Sequence, residues 1–114
     1  MRHDRLYLED IVSACDAVEL FIAGLSKNVF LENDLVLSAV TRKLEIIGEA
    51  CSRLSPEMRD AHPEIDWRAI IGFRNILAHQ YFSCDLDIVW EAASAKVGSL
   101  RASIKEMVLE LEDR

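Results

Sequence analysis

The sequence predicts an all-α fold: an antiparallel up-and-down four-helix bundle with one short extra helix. Three observations predict it. Apolar residues recur at alternating three- and four-residue steps through four long segments. The 114 residues include only 4 Gly and 2 Pro, too few to punctuate the many turns of a β-sandwich. Hydrophobic residues make up 51% of the chain and charged residues 29%, the balance of a folded core and not of a disordered tail. No repeat, low-complexity tract or linker divides the chain, so residues 1–114 read as a single domain.

Each element follows from its own pattern. In the first segment Tyr7, Ile11, Ala14, Val18, Phe21 and Leu25 fall on one helical stripe, with Asp10, Asp16 and Glu19 mostly off it. Gly24 and the polar run Ser26-Lys27-Asn28 read as a break. In the second segment Leu37, Val40, Leu44, Ile47, Cys51 and Leu54 repeat the stripe, and Asn33 or Asp34 is placed to cap it. Ser55 and Pro56 have the chemistry of an N-cap and a first helical residue, so a short helix follows, ended by Pro63. Asp66 reads as the cap of a third long helix with Ile70, Phe73 and Leu77 on its stripe, fading at Phe82-Ser83-Cys84. Asp85 caps the last helix, striped by Val89, Ala93, Val97, Leu100, Ile104, Met107 and Leu111, and the tail 110–114 is expected to fray. Helices of about 20 residues are about 30 Å long, a length that suits an antiparallel bundle.

Charge and cysteine usage exclude some functions. The net charge is −7, against a broad non-specific DNA binder. Residues 42–74 carry six basic and six acidic side chains, whereas the flanking segments are both acidic, so the middle of the chain is the least hostile to an anion. Cys15, Cys51 and Cys84 are widely spaced among apolar neighbours, as core residues in a reducing cytoplasm would be. No stretch is long and apolar enough to span a membrane, and the charged start, Met1-Arg2-His3-Asp4-Arg5, is unlike a signal peptide. No His or Cys spacing suits a metal, no glycine-rich phosphate loop exists, and no cofactor is implied. His3 and His62 read as solvated.

The third long segment holds the residues that core packing does not explain. On a helix Asn75 and His79 lie one turn apart on one face, and Arg74 and Tyr81 share a neighbouring stripe. Each alone fits a bland role, since Arg and His near a helix C-terminus interact favourably with its dipole. Together they are a cation matched to phosphate, an amide, an imidazole that titrates near neutrality and a phenol, a set suited to cleaving phosphodiesters without a metal. Gly48 inside the second helix suggests close approach by another helix. Glu49 beside it is either a solvated face residue or a partner for Arg74. Arg42, Lys43 and Arg53 either line a basic cleft for an anion or form a solvated face.

The segments Leu6-Tyr7-Leu8-Glu9-Asp10-Ile11, Arg42 to Ala50, Ile65-Asp66-Trp67-Arg68 and Asp85 to Glu91 resemble the HEPN domain proteins. Within them the chain is similar to the small HepT-like toxins encoded beside a minimal nucleotidyltransferase. The decisive stretch is Arg74-Asn75-Ile76-Leu77-Ala78-His79-Gln80-Tyr81, which carries the family's Arg-x-x-x-x-His-x-Tyr pattern. The resemblance implies a helical bundle that forms a homodimer, with the two motifs facing each other across a cleft. It implies a metal-independent endoribonuclease, the toxin of a type VII-like toxin–antitoxin pair. It also implies a cognate nucleotidyltransferase antitoxin that uses ATP to add AMP to the motif tyrosine, here Tyr81.

On this reading His79 and Arg74 are catalytic, Asn75 positions His79 or the phosphate, Glu49 supports Arg74, and Tyr81 is modified. A Tyr81 buried in the bundle with its hydroxyl on a backbone carbonyl is the alternative. Two rival functions remain open: a non-catalytic nucleotide- or partner-binding module for a nucleotidyltransferase, and a purely structural dimerising bundle.

Overall fold

The computed structural model describes residues 2–79 and 85–113, and the side chains of all of these except Arg2, Ala78 and His79. Every element among the described residues is helical. They are α1 (Arg2–Ile22), α2 (Lys27–Glu32), α3 (Asp34–Arg53), α4 (Pro56–Asp60), α5 (Trp67–His79), α6 (Leu86–Glu91), a π-helical turn (Ala92–Lys96) and α7 (Val97–Glu112). Among the described residues no helix is long and apolar enough to cross a membrane.

The caps follow sequence chemistry. Asn33 Oδ1 accepts from the Val36 amide at 3.1 Å, and Ser55 Oγ from the Met58 amide at 3.2 Å. Asp66 Oδ1 accepts from the Ala69 amide at 3.1 Å, and Asp85 Oδ1 from the Asp87 amide at 2.9 Å.

α1 is the central helix, packed on α3 along one side and on α7 along another, while α3 carries α5. Asp4 at the start of α1 meets Ser55 just past the end of α3, and Arg5 meets Glu112 at the end of α7 at 2.8 Å. α1 therefore runs antiparallel to both. Leu8, Ile11, Cys15 and Val18 of α1 interlock with Val40, Ile47 and Cys51 of α3 and with Ile104 and Met107 of α7 in the core. Burial pushes the Cys15 and Cys51 thiols up to about 12, so both are inert thiols at neutral pH. Cys84 lies outside the described residues.

α5 and α7 do not close on each other. A groove of about 530 Å³ separates them, floored by Leu44 and Ile47 of α3 and walled by Ile70, Phe73, Val97 and Leu100. This is why Ile70 and Phe73, on the expected apolar stripe, are only half-buried while Leu77 is buried.

Four details differ from the sequence expectation. The run Ser26-Lys27-Asn28 does not simply break the chain: Ser26 Oγ accepts from the Val29 amide and starts α2. α2 places Phe30, fully buried, against Trp90 with ring centroids 5.1 Å apart. The last helix is not continuous α-helix but contains the π turn. Its stripe steps from Val89 to Ala93 to Val97 in two successive fours, and the extra residue of the π turn keeps all three buried. The tail is helical through Glu112, held by Arg5. His62 is not solvated: its side chain is 15% exposed, with Nδ1 3.2 Å from Glu64 and Nε2 3.3 Å from Glu110.

Candidate active site

The site is built from the start of α5. Trp67, the first residue of that helix, is buried, and its Nε1 donates to the carbonyls of Arg59 at 3.1 Å and His62 at 3.0 Å. The indole thus fixes the rotation of α5. Two helical turns later Arg74 leaves α5 from nearly the same side and faces α3. The neighbour it meets there is Gly48. A Cβ on Gly48 would lie 3.0 Å from Arg74 Cβ and 3.3 Å from the Ile70 carbonyl oxygen. The missing side chain is what lets α5 lie this close, as the glycine in a helix interior suggested.

One residue along α3, the Glu49 carboxylate receives Arg74. Nη1 of Arg74 donates to Glu49 Oε2, and Nε of Arg53 donates to Glu49 Oε1 at 2.9 Å. One carboxylate therefore bridges two guanidiniums. The hydrogen bond from Arg53 is the largest influence holding the Glu49 carboxyl below its ordinary range, with the Arg74 charge adding to it against partial burial. Glu49 first, and then Tyr7 of α1, favour the charged form of Arg53. The Arg74 side chain is 34% exposed and the Arg53 side chain 58%, so Arg74 sits at the wall and Arg53 extends into solvent. Glu49 is a partner of Arg74, and its side chain is also 43% exposed.

The other expected residues are brought in unequally. Asn75 follows Arg74 and is exposed. His79 is the last residue of α5, one turn beyond Asn75, which places its backbone on the Asn75 face. Tyr81 lies outside the described residues. Arg42 is exposed and 3.9 Å from Glu45, while Lys43 is half-buried.

The model of the HepT-like ribonuclease family matches residues 11–107. The chain belongs to the HepT-like family. A "probable ribonuclease HepT" of Thermococcus cleftensis is 34% identical over 106 residues, covering 93% of this chain and 96% of its own. A "putative RNase" of Caldanaerobacter subterraneus is 34% identical over 108 residues, covering 95% of this chain and 96% of its own. Another "putative RNase", from Methanocaldococcus jannaschii, is 31% identical over 113 residues, covering 99% and 97%. No solved structure matches the chain significantly.

The matched span of this HepT-like chain holds Glu49, Arg53, Arg74, Asn75 and His79, and leaves out Tyr7. Sequence reasoning placed Arg53 only among undecided surface cations. The four-residue step from Glu49 to Arg53 on a helix was the available signal for their pairing. The influence of Tyr7 on Arg53 had no sequence signal, because it depends on how α1 lies against α3.

Proposed function

We propose that this HepT-like chain is a metal-independent endoribonuclease and the toxin half of a type VII-like toxin–antitoxin pair. The observation that carries the reading is the seating of Arg74, set against α3 by Gly48 and held by Glu49, within a family whose relatives carry the names "putative RNase" and "probable ribonuclease HepT". In the proposed reaction His79 takes the proton of an RNA 2′-hydroxyl. The 2′-oxygen attacks the adjacent phosphorus, and the 5′-oxygen leaves and takes up a proton. The products are a 2′,3′-cyclic phosphate and a free 5′-hydroxyl. Arg74 stabilises the charge that builds on the phosphoryl oxygens, and Asn75 positions His79 or the phosphate.

The active unit in this reading is a homodimer of up-and-down four-helix, single-domain subunits, with a composite site where the two motifs face each other. The half-buried Ile70 and Phe73 beside the open groove support it, because apolar walls of this kind favour a covering partner. Its antitoxin is a minimal nucleotidyltransferase acting in the cytoplasm. The Tyr81 phenol oxygen attacks the α-phosphorus of ATP, pyrophosphate leaves, and the added AMP brings bulk and negative charge to the place RNA phosphate must occupy.

The test is cleavage of RNA by purified protein in EDTA. The parent is expected to cut, and His79→Ala and Arg74→Ala are expected to lose at least 10²-fold in rate while keeping helicity. Uncut RNA with retained binding to the transferase makes the chain a partner-binding module instead. Variants that cut like the parent remove the assigned roles.

A further inference from the structure

We propose that Arg53 is a second phosphate-binding residue of this site, taking the phosphate next to the one held by Arg74 on a single-stranded RNA. The proposal rests on the ribonuclease reading and names how that site holds its substrate.

The argument starts from charge. A chain of net charge −7 repels RNA unless cations outnumber anions somewhere. The ion-pair clusters of the described residues differ in this respect. Arg5 faces Glu9 and Glu112, and Arg101 faces Asp16 and Glu19. His62 lies between Glu64 and Glu110. Lys27 pairs with Asp87, and Arg42 with Glu45. In each of these the anions equal or outnumber the cations. Arg53, Glu49 and Arg74 form the cluster with two cations on one anion.

Geometry adds to charge. The two guanidiniums sit on the two oxygens of one carboxylate, which holds both cations side by side. A guanidinium carries five N–H donors. The bond to Glu49 engages the Nε of Arg53 and does not use its terminal nitrogens, on a side chain more exposed than that of Arg74. Glu49 keeps both cations in place against their mutual repulsion.

The experiment is fluorescence anisotropy of a labelled single-stranded RNA oligonucleotide with the full chain across a salt series, alongside cleavage kinetics. Arg53→Ala is expected to weaken binding roughly tenfold, as loss of one charge-assisted contact does. Its plot of log affinity against log salt should be shallower by about 0.7, the contribution of one phosphate on a single strand. In cleavage the loss should fall on KM. Arg53→Lys, which keeps the charge, should keep the slope. Arg42→Ala removes a charge from the same helix away from the cluster and should change both quantities less.

A parental slope in Arg53→Ala, a slope lost in Arg53→Lys, or an equal loss in Arg42→Ala overturns the proposal. In any of these cases the ribonuclease reading stands so long as the parent cuts RNA. A parent that neither binds nor cuts RNA overturns both. If circular dichroism shows Arg53→Ala unfolded, Arg53→Gln, which keeps a long polar side chain, takes its place with the same expectations.

Discussion

Gly48 of α3 and Arg74 of α5 touch backbone to side-chain root: a methyl group on Gly48 would stand 3.0 Å from Arg74 Cβ. Neither that Cβ nor the Ile70 carbonyl oxygen, 3.3 Å away, can move without moving α5. Gly48→Ala gains about 1 kcal/mol of helix propensity and meets an overpacking penalty of about 1–3 kcal/mol. The expected outcome is a net loss of about 1 kcal/mol in urea unfolding, with a fall in RNA cleavage as Arg74 shifts. A raised unfolding midpoint would show that the helices part freely.

The carboxyl of Glu49 titrates below its ordinary value of 4.5, first because Arg53 donates to it and then because Arg74 is beside it. A carboxyl depressed in the folded state stabilises the fold above the unfolded value, and that contribution is lost as pH falls through the lowered one. The Arg74 brace is therefore intact through neutral pH and released only below the ordinary carboxylate range. Carbon-detected NMR titration should give a Glu49 midpoint under 4.5 in the parent and a higher one in Arg53→Ala. An unmoved midpoint in that variant would remove Arg53 as the main cause.

Asp4 is 3% exposed and accepts from the Ser55 amide at 2.8 Å and the Ser55 hydroxyl at 2.6 Å. Ser55 Oγ also accepts from the Met58 amide, so one carboxylate ties the start of α1 to the corner between α3 and α4. Asp4→Ala leaves these donors without their partner and is expected to cost about 1–3 kcal/mol in denaturant unfolding. Asp4→Asn, which keeps an acceptor, should cost less. Equal losses would mean that the charge and not the hydrogen bonding matters.

The proposed modification is read by mass spectrometry. With the partner nucleotidyltransferase and ATP, the chain should gain whole AMP units on Tyr81, and RNA cleavage should fall in step. Tyr81→Phe, lacking the nucleophilic oxygen, should stay unmodified. AMP found on a different residue, or a modified chain that still cuts, counts against this switch.

The long helices were legible because each stripe records which face is buried, and the caps at Asn33, Ser55, Asp66 and Asp85 because side-chain chemistry there is local. α2 was hidden because six residues are too short to show a period, and its one apolar anchor, Phe30, finds Trp90 sixty residues away. His62 looked solvated because its companion Glu110 belongs to the far end of the chain. The pairing of Arg74 with Glu49 was weighed from the sequence on chemistry, but it depends on α5 and α3 lying side by side.

The π turn at Ala92–Lys96 works as a phase corrector. At 100° per residue, the eight steps from Val89 to Val97 would leave the two valines about 80° apart on an uninterrupted α-helix. Before the turn the helix answers to α2 through Trp90 and Phe30; after it, to α1 through Arg101 and Asp16. One surplus residue lets a single rod keep both appointments. A one-residue deletion there would restore an ordinary helix and force it to abandon one of its two neighbours.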